Sequence, residues 1–569
     1  MGMTNDGLSY WQAERTGFSL LNMTVGDLLD LRAAQSPDKE AVVYSCYPEF
    51  GDLLTIRWTY ADYRVRADAV ARGLLALGLQ KGDHIAIWAI NLPEWLLLQM
   101  AAARAGLLVL VTINPALRAA EVEYILQQGN VQALFFMARV RDHDCLATVR
   151  SLVTAGAQRS ERLPHLRHTC LLGMMPAGLL EQDGWRPLLF SEMVEDGRAI
   201  SQEVLRSRQA EVSAQDIAMI QYTSGTTGFP KGVMLSHYSI VNDAASVMAR
   251  WGGSEHDRAC TAMPFFHVGG CVLGVLGAIY IGATLHPLLA FEASKIMQII
   301  SSQRCTTLGA VPSMLLAILQ HPDFAQYDLS SLRSVVSGAT VVPVYLMEQV
   351  KERIGADVAI IFGMTEAAGA VSFTLPEDSF ALKSATVGVP IDHVEVKVID
   401  PASGQVVPCG HSGELCCRGS LVMQGYYHMP EKSAEAIDHD GWLHSGDLAT
   451  LDAKGYVNIV GRIKDMVIRG GENIYPREIE EFLIRHPGIA DVQIVGVPDQ
   501  FFGEELLAVI IPQVGAELSE EEVRAYCQDQ ISHQKIPRYI QFVQSFPVTA
   551  SGKVQKFVLR ENAIKLLNL

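Results

Sequence analysis

The stretch Tyr222–His237, YTSGTTGFPKGVMLSH, packs Ser, Thr, Gly and one Lys into a short span. Gly225, Gly228 and Gly232 let the backbone approach a ligand and turn several N–H groups toward it. Ser224, Thr226 and Thr227 add hydroxyl donors, and Lys231 adds a positive charge. The spacing is not that of the common nucleotide loop, because Lys231 follows Pro230 and precedes Gly232 rather than Ser or Thr. Upstream, DIAMIQYT reads as a short strand; downstream, SIVNDAASVMARW reads as a helix. Strand, glycine loop and helix in that order suit a mobile polyphosphate that is gripped and then released. A plain Ser/Thr/Gly surface turn is the simpler reading, but it seldom follows a buried strand and also carries a Lys.

Outward from this loop the chain alternates strands and helices. Tyr63, Ala67, Val70, Leu74 and Leu77 recur at helical spacing and Gly78 ends the run. HIAIWAI (84–90) and LLVLVTI (107–113) read as strands around a helix over 93–106. This alternation predicts an α/β fold with mostly parallel sheets layered with helices. The stretch from about Arg139 to Val212 reads as polar and irregular. VEVKVID (394–400) alternates like a half-exposed strand. Composition changes near GRIKDMVIRGGENIYPREIEEFL. Beyond it, Pro476 opens a helix, DVQIVGV and ELLAVIIP read as strands, and Ser519 with Glu522 has capping-box spacing. The expected organisation is a large N-terminal domain, 1–463, and a small mobile α+β C-terminal domain, 464–569.

Bulk properties narrow the function. The 569 residues carry 45 basic and 62 acidic side chains, a net charge of −17, which disfavours non-specific nucleic-acid binding. Ten cysteines are scattered without a CxxC pair, as expected of reduced thiols in a cytoplasmic protein. The N-terminus has no basic region followed by an apolar run, so no secretion signal is expected. Val268–Phe291 is uncharged and long enough to cross a bilayer, but its glycines, His and Pro favour a buried helix–strand pair broken at Gly282. No transmembrane segment is expected.

YTSGTTGFPKG resembles the phosphate loop of the adenylate-forming superfamily: acyl- and aryl-CoA synthetases, peptide-synthetase adenylation domains and luciferase. Four further motifs follow in the family's order: FGMTE (362–366), GWLHSGDLA (441–449), GRIKDMVIRGGENIYPREIE (461–480) and PVTASGKVQK (547–556). GYYHMPEKSAEAI and RGGENIYP are most similar to the fatty-acyl-CoA synthetase branch. The resemblance implies a two-step reaction. A carboxylate attacks the α-phosphorus of ATP to give acyl-AMP and pyrophosphate, and the thiol of coenzyme A then displaces AMP. The acid needs no general base, since a carboxylic acid of pKa about 4–5 is already ionised. Catalysis is therefore charge neutralisation and positioning.

The same resemblance implies the roles. Thr223, Ser224, Gly225, Thr226, Thr227, Gly228 and Lys231 would hold the phosphates. Lys553 would bridge the acyl carboxylate and the α-phosphate, Thr365 would touch that phosphate, and Glu366 would hold Mg²⁺. Asp447 would accept both ribose hydroxyls, with Arg462 on ribose or phosphate. Gly338 and Ala339 of SGAT, with Phe362 and Gly363, would frame adenine and the acyl end. Lys464 marks the hinge about which the C-terminal domain would turn between half-reactions. That turn would bring Gly470 and Gly471 beside the pantetheine arm.

Phe266 and His267, in PFFHVGG (264–270), would line the acyl pocket. Amino-acid-activating relatives have an Asp at the His267 position, so the ammonium counter-charge is missing here. The apolar segment that follows favours a medium- or long-chain fatty acid. The alternatives are an aryl acid, transfer to a carrier-protein phosphopantetheine, an oxidative luciferase-like use of the adenylate, and a non-catalytic binding module. The last is opposed by Lys553, Glu366 and Asp447 all being in place.

Overall fold

The computed structural model describes the chain apart from residues 1–6, 14–18, 46–55, 107–109, 154–161, 174–184, 224–229, 341, 471, 514, 529, 549–553 and 568–569. It divides into two compact units. The first is Gln12–Glu395 with Cys417–Leu443; the second is Gly2–Trp11, Val396–Cys416 and His444–Leu569.

The first unit is built on two large, mostly parallel sheets, as the alternating pattern predicts. One has seven strands in the order Leu188–Leu189, His168–Leu172, Val131–Met137, His84–Trp88, Leu110–Ile113, Ile217–Thr223 and Lys231–Ser236. All its neighbours run parallel except the last pair. His84–Trp88 is buried along its whole length. Strands covered on both faces read as unbroken apolar runs, which is why HIAIW shows no alternation.

The other sheet has nine strands. Its parallel centre runs Asp357–Phe362, Ser334–Gly338, Thr307–Gly309, Arg258–Thr261, Thr284–Pro287 and Glu40–Tyr44. Antiparallel strands close both edges. A core that includes Ile296, Ile300, Leu315, Leu346 and Val350 covers this sheet with helices Ala293–Gln303, Pro312–Leu319 and Val344–Ile354.

Local chemistry sets the helix ends. Tyr60–Ala76 starts at a capping box in which Thr59 and Asp62 satisfy each other's backbone N–H. Pro93–Ala105 starts on Pro93 and ends at Gly106, left-handed at φ 69°. Val268–Phe291 does break at Gly282, whose φ is 74°. Before the break lie a π-helix, Gly269–Leu276, and a short α-helix, Gly277–Ile281; after it lies the strand Thr284–Pro287. No described helix is long and apolar enough to cross a membrane.

Two expectations need correction. The stretch 139–212 contains regular structure: the helices Cys145–Val153 and Gln202–Ala210 and the sheet strand His168–Leu172. The helix expected at SIVNDAASVMARW is present as His237–Trp251, but an unexpected strand, Lys231–Ser236, precedes it and pairs antiparallel with Ile217–Thr223, with Thr223 opposite Lys231.

In the second unit, Val467–Arg469, Glu472–Ile474, Ile489–Asp499, Gly503–Pro512 and Tyr539–Phe542 form one sheet. Helices Pro476–Leu483 and Glu520–Cys527 cover one face and Lys556–Leu567 packs through Leu559 and Ala563. Ser519 and Glu522 form the expected capping box.

Candidate active site

The central strands of the nine-stranded sheet end in a common direction, and their C-terminal ends carry the expected residues. Arg258–Thr261 leads to Phe266 and His267, Ser334–Gly338 to Ala339, and Asp357–Phe362 to Gly363, Thr365 and Glu366. Ligands of open α/β sheets bind at this edge.

Close packing explains the small residues there. A Cβ on Gly338 would fall onto the Ile361 carbonyl oxygen of the adjacent strand, and one on Gly363 onto the Gly369 carbonyl oxygen. Ala339 is left-handed at φ 68°, a costly state for a residue with a side chain. Ser337, buried just before it, has a hydroxyl with no hydrogen-bond partner among the described residues. Phe362 and Phe266 are half-buried.

His267 caps the π-helix. Its Nδ1 accepts from the Gly269 N–H at 3.2 Å and its carbonyl accepts from Gly270 and Cys271. The neighbouring Phe265 is the aromatic that goes into the core, against Trp95 at 5.4 Å between centroids. π-helices recur at functional sites because the extra residue widens the turn.

Glu366 is the middle residue of a one-turn 3₁₀ helix, Thr365–Ala367, with Thr365 buried beside it. The Tyr426 hydroxyl donates to Glu366 Oε1 at 2.9 Å. Glu366 Oε2 has no hydrogen-bond donor among the described residues, so a hard oxygen ligand is left for a cation such as Mg²⁺. The face of the tyrosine ring meets the first residue of the strand Lys231–Ser236: Lys231 Nζ lies 4.0 Å from the centre of the ring. Tyr426 is 5 % exposed, and burial, then Glu366, drives its phenol well above its usual pKa. The segment around it is held as an added edge on Lys231–Ser236, by Met234 N–H to Gly425 O, Gln424 N–H to Met234 O and Tyr427 N–H to Gly232 O.

Asp243 is fully buried on His237–Trp251 and accepts from the Ala370 N–H at 3.1 Å. Burial drives its carboxyl well above the usual range, and its Oδ2 lies where a Cβ on Gly369 would fall. Sequence reasoning missed Asp243 and Tyr426. The only signal for the tyrosine was an aromatic pair in GYYHMPEK, and Asp243 looks like one polar residue in a helix.

In the second unit, Asp447 and Arg462 are cross-strand partners, with Nε 3.0 Å from Oδ1. Asp447 is buried and its N–H donates to Ser445 Oγ at 3.0 Å. Lys464 is exposed on the short turn Ile463–Asp465. Gly470 has φ 61° and donates its N–H to Phe502 O at 2.8 Å, and a Cβ there would meet the Phe502 ring. Ser224, Gly225, Thr226, Thr227, Gly228, Gly471 and Lys553 lie outside the described residues.

Comparison with known proteins agrees over nearly the full length. Residues 29–427 match the AMP-binding enzyme family and 478–553 match the AMP-binding enzyme C-terminal domain. The chain is 43 % identical to "Putative acyl-CoA synthetase YngI" of Bacillus subtilis, over 97 % of this chain and 99 % of that one. It is 38 % identical to "Medium-chain acyl-CoA ligase ACSF2, mitochondrial" of Homo sapiens, over 99 % of this chain and 91 % of that one. A solved fatty acyl CoA synthetase of Mycobacterium tuberculosis superposes with a TM-score of 0.73 at 29 % identity, covering 95 % of this chain and 98 % of the other. This chain belongs to the AMP-binding enzyme family of the adenylate-forming superfamily.

Proposed function

We propose that the protein is an AMP-forming acid–thiol ligase that converts a medium- or long-chain fatty acid, ATP and coenzyme A to acyl-CoA, AMP and pyrophosphate. The observation that carries this reading is the meeting of Lys231 and Glu366 at Tyr426, a cation and a metal-ready carboxylate held beside one glycine-rich hairpin. Lys231 with Thr223, and the hydroxyls and N–H groups of 224–228, hold the phosphates. Glu366 holds Mg²⁺, whose part is to neutralise phosphate charge, and Thr365 orients the α-phosphate. Gly338, Ala339, Phe362 and Gly363 frame the base and the acyl carbonyl. Asp447 binds the ribose diol and Arg462 trades its ion pair with Asp447 for the nucleotide. Lys553 supplies the cation at the carboxylate–phosphate encounter.

The absence of an acid at His267 argues against amino acids, and the uncharged π-helix behind it, carrying the buried Val272, Val275 and Leu276, supports the aliphatic choice. It also accords with the relatives being an acyl-CoA synthetase and a medium-chain acyl-CoA ligase. Coenzyme A is the proposed acceptor rather than a carrier protein. A turn of residues 464–569 about Lys464, bringing Gly470 and Gly471 to the thiol, separates the half-reactions. A cytoplasmic setting accords with nine described cysteines all being free thiols.

The test is pyrophosphate release across straight-chain and aromatic acids, with and without coenzyme A. A maximum among straight-chain acids, with thioester formed only when coenzyme A is present, is expected. A flat response to the aliphatic series, with turnover on aromatic acids, would replace the fatty-acid reading by the aryl one.

A further inference from the structure

Three side chains with metal-ligating atoms converge in the second unit, away from any role assigned above. Glu414 and Cys416 lie two apart on the strand Gly413–Gly419 and so point to the same face. His444 projects from the neighbouring strand Leu443–Leu451. Its Nδ1 is 2.9 Å from Glu414 Oε2 and 3.6 Å from Cys416 Sγ. All three donor atoms lie within 4.8 Å of one another. Among the described residues, no other three His, Cys, Asp or Glu side chains gather in this way. Cys416 is buried, whereas the side chains of His444 and Glu414 keep 28 % and 13 % exposure, so the cluster has a solvent side.

The donor set identifies the class of ion. Mg²⁺ and Ca²⁺ take oxygen ligands, whereas a sulfur, an imidazole nitrogen and one carboxylate oxygen suit Zn²⁺ and its neighbours. Tetrahedral zinc, with sulfur at about 2.3 Å and nitrogen at about 2.0 Å, sets those two atoms about 3.5 Å apart. The observed Sγ to Nδ1 separation is 3.6 Å. The Nδ1 to Oε2 pair must open from 2.9 Å by about half an ångström, because an ion replaces the proton they share. The second carboxylate oxygen is engaged elsewhere: Oε1 accepts from the Gly446 N–H at 3.1 Å.

We propose that Glu414, Cys416 and His444 form a binding site for one zinc-class divalent cation, with water as the fourth ligand. The site shares no residue with the magnesium position at Glu366 and does not depend on the acid or nucleotide chemistry. Its consequence is mechanical. The turn that follows is already tied to the same strand by Ser445 Oγ donating to Leu415 O at 2.6 Å. An ion bridging the two strands staples that turn immediately before Asp447. Because the unfolded chain does not hold the three donors together, binding stabilises the folded protein.

The test uses the metal-free full-length protein, Co²⁺ as a spectroscopic probe and Zn²⁺ in thermal melts. The wild type is expected to show one equivalent of thiolate-to-cobalt charge-transfer absorption, displaced by Zn²⁺, and a melting midpoint that rises with Zn²⁺. Cys416→Ser should remove the absorption band and the rise. His444→Gln keeps an N–H for Glu414 but is a poor ligand. It should weaken Co²⁺ binding by about tenfold or more while its metal-free melting stays near that of the wild type. Should Cys416→Ser fail to fold, His444→Gln decides alone. The proposal is overturned by no charge-transfer band in the wild type, by a band that persists in Cys416→Ser, or by unchanged Co²⁺ affinity in His444→Gln. Any of these leaves the cluster as a hydrogen-bonded pair beside a buried thiol.

Discussion

The Tyr426 hydroxyl donates to Glu366 Oε1 at 2.9 Å while the face of the same ring carries Lys231 Nζ at 4.0 Å. One side chain therefore fixes the relation between the glycine hairpin of one sheet and the turn at the end of the other. Its two contacts are chemically different, so they can be removed separately.

Tyr426→Phe removes only the hydroxyl. The Mg²⁺ concentration needed for half-maximal pyrophosphate release should rise by about tenfold, the usual cost of losing a group that orients a metal ligand. Tyr426→Leu also removes the ring, and KM for ATP should rise by a further factor of about three as the cation–π contact is lost. Glu366→Gln is the control: an unchanged Mg²⁺ requirement in that variant would mean that Glu366 is not the metal ligand.

Lys553→Ala should slow acyl-AMP formation by about 10²–10³-fold, the scale set by deleting one preorganised charge from a transition state. Conversion of supplied acyl-AMP and coenzyme A to thioester should be largely retained. Single-turnover measurement of each half-reaction checks this, and equal loss in both would remove the assigned role.

Gly363→Ala should destabilise the first unit by about 1–3 kcal/mol, since its new methyl group meets backbone that cannot swing aside. Gly461→Ala, where nothing lies within 4 Å of the added carbon, should change stability by no more than about 0.5 kcal/mol. Urea denaturation of both variants makes the comparison.

Acid should destabilise the fold through two buried imidazoles. Burial lowers His237 to about 4, and burial with Arg258 and Arg57 lowers His286 to about 3, from 6.5. Neither nitrogen of His286 has a hydrogen-bond partner among the described residues. The unfolded chain takes up these protons near 6.5 and the folded chain does not. Stability from this source is full above pH 6.5 and falls as the pH drops toward 4 for His237 and toward 3 for His286. His286→Leu should flatten that fall without loss at neutral pH, as read from urea midpoints across the range.

Much of this was legible in the residues because it is local. Ser519 with Glu522 announces its helix within four residues. Gly106 and Gly282 end theirs by adopting positive φ. HIAIW names a central strand by lacking alternation. The strand Lys231–Ser236 was missed because six residues between a glycine loop and a helix carry no period strong enough to declare themselves. They become a strand by pairing with Ile217–Thr223 on one side and meeting Tyr426 on the other. His168–Leu172 is likewise a strand because Val131–Met137 lies beside it.

The sequence alone determined the alternating α/β order and the kinship to adenylate-forming enzymes, since each is written in neighbouring residues. Tertiary structure alone decided that Tyr426 joins Lys231 to Glu366, that Asp243 is sealed beneath Ala370, and that Glu414, Cys416 and His444 share one corner. Apart from Glu414 and Cys416, neighbours on one strand, those partners stand tens to hundreds of positions apart along the chain. Only strand pairing and the burial of apolar faces bring them within reach.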